Sequence, residues 1–176
     1  MRTKATSRRK TRTIRILKVC DLALDATLAG HKPWELSLRL ARSPRPQAGD
    51  LVLLCPTDQA TGTWLVRGTA RVLRVESIAL HGTVPPYLTS TLGPELHAFC
   101  QHLWSSWLSQ PTPPAKAHIT WLTDITPITP TADIAAFAWA LPHPRTCNQL
   151  PPISAPPYVM RQLREAIGAL AVTVVT

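Results

Sequence analysis

The first apolar stretch, TIRILKVC (Thr13–Cys20), interleaves Ile14, Ile16 and the Leu17/Val19 pair with basic residues, and this period of two predicts a strand. A short helix is expected next, over DLALDATLAG. Asp21 is placed to cap its start, Asp25 sits near the positive end of its dipole, and Gly30 tolerates the left-handed conformation that stops it. Pro33 sends the chain out extended. In the strand that follows, Trp34, Leu36, Leu38 and Leu40 fall on one face and Glu35, Ser37 and Arg39 on the other, because side chains alternate. The first face is expected in the core and the second outward. GDLVLLC (Gly49–Cys55) reads as a strand entered through a Gly-Asp turn. TWLVRGTARVLRVESIAL (Thr63–Leu80) is long enough for a bent strand or a hairpin, with Gly68 at the bend. Several strands so closely spaced point to a small β-barrel.

Between Thr91 and Ser109 the period changes. Leu96, Phe99, Cys100, Leu103, Trp104, Trp107 and Leu108 recur at helical spacing behind Pro94, which predicts an amphipathic helix packed on the barrel through its Trp pair. HITWLTDITPI (His118–Ile128) and IAAFAWAL (Ile134–Leu141) are expected as the strands that complete the barrel. A Pro-rich connector (Pro142–Pro157) leads to a last helix, Tyr158–Leu170, with Val159, Leu163, Ala166, Ile167 and Leu170 on one face, and then to a β-prone tail, AVTVV. The domain reading is a flexible basic arm over 1–13, a barrel domain over 14–141 with a helical insertion at about 81–117, and the connector and helix over 142–176.

Composition narrows the class. Eighteen prolines against seven glycines argue for stiff loops and against a helical bundle. No apolar run reaches the length of a membrane span, so a soluble chain without membrane association is expected. Four cysteines, Cys20, Cys55, Cys100 and Cys147, stand far apart with no C-x-x-C pair, which suits a reduced, cytoplasmic protein with core thiols. His97/Cys100 and His143/Cys147 have no second half-site, so neither a metal nor any other cofactor is expected.

The net charge of +9 is concentrated at the start of the chain: residues 1–18 carry eight basic side chains and no acid, leaving +1 for the rest. Such a run cannot bury enough surface to order itself, and its natural partner is a polyanion. RNA is the first expectation and DNA the second, with Arg8, Arg9, Lys10 and Arg12 as phosphate contacts. A solubilising tail or a transit peptide has the same composition.

Gly30, Lys32 and Glu35 spell G-x-K-x-x-E at the junction of the first helix and the second strand, ahead of a Gly-Asp strand and a long bent strand. This order resembles the ASCH family, in which the motif continues to an arginine. Here Ser37 stands at that place, and Arg39 lies one strand repeat further along the same face. The resemblance covers roughly residues 14–80 and, more weakly, 118–141. It implies an α+β fold, a small PUA-like β-barrel with flanking helices, and RNA as ligand. Some ASCH relatives hydrolyse RNA or the amide of acetylated cytidine, which makes a small hydrolase acting on RNA or a modified nucleoside the alternative function.

For binding, Lys32 and Arg39 are expected on phosphate while Glu35 reads a base edge, and a small-molecule nucleoside is a further candidate ligand. For catalysis, Lys32 serves as base or nucleophile with Glu35 relaying the proton. In the blandest reading Lys32 and Glu35 are a surface pair worth at most about 1 kcal/mol, and a protein-interaction domain presenting the Trp-rich helix is a third class.

Overall fold

The computed structural model describes residues 13–38, 45–57, 64–140, 150 and 152–172. Arg8, Arg9, Lys10, Arg12, Arg39 and Leu40 lie outside the described residues.

The chain opens with β1 (Ile14–Val19), α1 (Asp21–Leu28), β2 (Trp34–Ser37), β3 (Leu51–Pro56) and β4 (Leu65–Ala79). It continues through α2 (Pro86–Thr89), α3 (Pro94–Leu108), β5 (Lys116–Asp133), a 3-10 helix (Ala135–Ala140) and α4 (Pro157–Val172). The five strands form one α+β curled half-barrel in the order β1-β3-β4-β5-β2. β1 runs parallel to β3, a pairing that needs a crossover, and α1 lies within it with Ala23 and Leu24 buried. The remaining pairs are antiparallel.

Three cores divide the interior. One gathers Ile14, Ile16, Leu53 and Val66 under Val159, Leu163 and Ile167 of α4. A second joins Leu17, Val52, Leu54, Val72 and Leu122 to Ala23 and Leu24 of α1. The third packs Trp34, Leu36 and Ile119 against Cys100, Trp104 and Trp107 of α3, so the Trp pair of this helix serves the core as its period predicts.

Several expectations are corrected by the fold. Ile134–Leu141 does not form a closing strand: residues 135–140 are a 3-10 helix, begun by the Asp133 Oδ1 that accepts from Ala135 N at 2.8 Å. Four alanines in AAFAWA offer a sheet no branched side chains to pack, and the local cap prevails. β5 instead extends past Ile128 to Asp133. The cap of α1 is Cys20, without a side-chain bond, and Asp21 occupies its first turn. Ala171 and Val172, expected as part of a β-prone tail, belong to α4. Of the two readings of the long segment before Leu80, the bent strand holds and the hairpin does not: β4 is one strand with register shifts. Gly68 sits at a register shift, where a Cβ would fall 2.4 Å from Leu28 Cδ2 and 3.0 Å from Thr126 O, so the position also admits α1.

Arg15, counted by sequence with the basic run, is fully buried in β1. Its Nε meets Asp50 Oδ2 at 2.6 Å, Nη1 donates to Leu150 O at 2.7 Å and Nη2 to Arg45 O at 2.8 Å. One guanidinium fork thus ties the sheet to two distant loops. Lys18 is also engaged, with its Nζ 4.5 Å from the Trp64 ring centroid.

Candidate functional site

The G-x-K-x-x-E stretch is built by the end of a helix and the start of an edge strand. Gly30 takes φ +77°, the left-handed turn that only glycine adopts at no steric cost, and the amides of His31 and Lys32 fold back to Ala26 O at 2.9 and 3.2 Å. The turn drives Lys32 inward. The lysine is only 2% exposed, which excludes the surface-pair reading, and its expected contact with phosphate must give way to the partners it has. Nζ donates to Trp34 O at 2.7 Å and to Glu35 Oε2, and lies 4.2 Å from the centroid of the Trp34 ring. A carbonyl, a carboxylate and a π face replace the water the ammonium gave up. The Glu35 side chain keeps 17% of its surface exposed. The spacing thus anticipated the contact between the two residues and the outward side of Glu35, but not the enclosure of Lys32.

The neighbours of Glu35 follow from register. Glu35 pairs with Thr120 and Ser37 with His118, while Thr120 and His118 pair on their other side with Val75 and Ser77. Paired residues share a face, so Glu35, Ser37, Thr120, His118 and Ser77 form one polar strip, which Leu122 and Val72 continue into the second core. Ser37 is buried, contrary to the outward face expected for the second strand, and its neighbour Thr120 of β5 is buried too. At the end of the strip Ser77 Oγ lies 3.0 Å from His118 Nδ1. Burial lowers the His118 pKa below the ordinary 6.5, with the charges of Arg45 and Lys116 acting in the same direction, so the ring is a neutral donor-acceptor at pH 7. Sequence reasoning missed Thr120, His118 and Ser77. Their only signal was alternation in HITWLT and VES, and which strand would pair with β2 was not legible.

Cys100 of α3 lies within reach of both charges of the pair. Burial pushes its thiol up to about 11, Lys32 opposes that shift, and Glu35 and then Cys20 reinforce it. The thiol stays protonated and is a packing group rather than a nucleophile. Among the described residues no group of three or more His, Cys, Asp or Glu is placed to hold a metal ion. No described helix is long and apolar enough to cross a membrane.

No protein-family model matches the sequence, and no curated protein matches it. Solved structures do. The fold is similar to the crystal structure of ASCH from Zymomonas mobilis, with a TM-score of 0.57 at 15% identity, covering 88% of this chain and 95% of that one. A tyrosine-to-phenylalanine variant of the same protein matches with a TM-score of 0.55 at 15% identity, covering 88% of this chain and 98% of that one. The likeness is one of fold, and it extends over more of the chain than the motif-bearing stretch alone.

Proposed function

We propose that this chain, with its ASCH-type fold, binds single-stranded or modified RNA, and that Glu35 is the group that reads a base. The observation that carries the reading is the asymmetry of the buried pair: Lys32 is enclosed while the carboxylate it holds keeps part of its surface in solvent. A carboxylate fixed in this way is an acceptor for the amino and imino hydrogens of a base edge. His118 and Ser77, further along the same strip, add donors and acceptors suited to a splayed-out nucleotide. Phosphate attraction is assigned to the basic residues ahead of Thr13, with Arg39 as a further contact. They supply affinity without sequence preference.

The test is fluorescence anisotropy with a labelled single-stranded RNA over a salt series. The full chain binds with an affinity that falls steeply with salt, and a chain lacking residues 1–12 binds more weakly with a flatter salt slope because six basic side chains are gone. Unchanged affinity and slope in the shortened chain would make the arm a tail or a targeting segment. A second reading, a small hydrolase acting on RNA or a modified nucleoside, draws on one observation: a buried lysine in direct contact with a carboxylate is a pair able to pass a proton. Turnover abolished by Glu35→Gln with RNA binding retained would place it first.

A further inference from the structure

The row that begins at Lys32 continues across the sheet. Trp34 of β2 pairs with Trp121 of β5, which pairs with Arg74 of β4. Each end carries a cation on an indole, Lys32 Nζ at 4.2 Å from the Trp34 centroid and Arg74 Cζ at 5.0 Å from that of Trp121. The two ends differ in access, because the Arg74 side chain is 61% exposed. Its position depends on a bulge. Val72 stands opposite Leu122 and Arg74 opposite Trp121, so Leu73 is the extra residue that moves Arg74 into the place a regular strand would give to Leu73.

The indole is fixed in turn. Trp121 Nε1 donates to Glu76 Oε2 at 2.8 Å, and the same oxygen lies 3.5 Å from Arg74 Nη2. Tyr87 of α2 is 58% exposed and lies within reach of the charges of Glu76 and Arg74. Partial burial raises the pKa of its phenol, Glu76 adds to the rise and Arg74 opposes it, so both charges reach the ring.

We infer that Trp121, Arg74 and Tyr87 form a stacking platform for a nucleobase of single-stranded RNA, apart from the carboxylate of Glu35. This rests on the nucleic-acid reading of the function. A planar guanidinium laid over an indole offers its outer face to a base, and an exposed phenol extends that surface. Glu76 offsets the charge of Arg74, so the platform holds a base by its plane more than a phosphate by its charge.

The experiment compares the full chain with its Tyr87→Ala and Arg74→Lys variants on a short single-stranded RNA and on the same RNA with abasic positions. Both variants bind the intact RNA about five- to a hundredfold more weakly and bind the abasic RNA as the parent does, with the melting transition of Tyr87→Ala unchanged. Parental affinity of either variant for intact RNA overturns the platform, as does an equal loss on abasic RNA. If Glu35→Gln alone weakens binding, the base-edge reading stands and the platform falls; a parent chain that binds no RNA overturns both.

Discussion

Among the described residues two cations are deeply buried, Arg15 in β1 and Lys32 just ahead of β2, and they differ in what their partners are free to do. Arg15 and Asp50 are closed to solvent together, with side-chain exposures of 1% and 8%. Besides the guanidinium, Asp50 accepts from the amides of Thr13 at 3.3 Å and Gln47 at 3.0 Å, so both its oxygens are occupied. Lys32 is as deeply buried as Arg15, yet the described residues give Glu35 Oε1 no hydrogen-bond partner. A saturated pair can only hold the fold in place; a pair whose acid retains an open oxygen can also take a ligand. Burial of an ion pair therefore does not by itself mark a binding site, and the proposed base contact rests on the unused acceptor.

The sharpest way to break the comparison is to remove each acid's or cation's partner in turn. Asp50→Ala leaves a buried guanidinium without its carboxylate and should cost about 3 to 5 kcal/mol in a denaturant melt. The molecules that remain folded should bind RNA like the parent. Lys32→Ala should also destabilise, by about 2 to 3 kcal/mol, less than Asp50→Ala because the Glu35 left behind can turn to water. A melting transition that Lys32→Ala leaves unmoved would show that the lysine is not held as described.

The third effect is smaller and lies at the end of the polar strip. His118 has a lowered pKa in the folded chain, so the unfolded chain binds more protons as the pH drops below the ordinary value of 6.5. Stability contributed by the neutral ring is therefore full above about 6.5 and is lost as the pH falls toward the folded-state pKa. The melting temperature should decline over that window, and His118→Gln should flatten the decline. An unchanged slope in the variant would assign the pH dependence to other groups.

What the sequence made legible is local. The period of WELSL identified Trp34 and Leu36 as core, Gly30 announced its positive φ, and the spacing of Lys32 and Glu35 announced their contact. The direction of burial was not legible, because whether Lys32 faces water depends on how the rest of the chain packs around it, a tertiary fact. Arg15 looked like one more charge of the arm for the same reason: its carboxylate lies 35 residues away and its carbonyl partners 30 and 135 residues away. The alternation of IAAFAWAL suggested a strand where the Asp133 cap and alanine content give a 3-10 helix. Non-local partners, which no period encodes, decide these cases.

The most direct measurement of the central claim is Glu35→Gln examined for stability and RNA binding side by side. Glutamine keeps the shape and one acceptor but leaves the buried Lys32 ammonium without its counter-charge, so a stability loss of about 1 to 3 kcal/mol is expected, less than for Asp50→Ala, and binding is compared where both chains are folded. Binding of single-stranded RNA should weaken by about 1 to 3 kcal/mol, the cost of losing a charged acceptor on a base edge. Parental binding by Glu35→Gln would contradict the account and leave the Lys32–Glu35 pair, like Arg15–Asp50, a device of the fold.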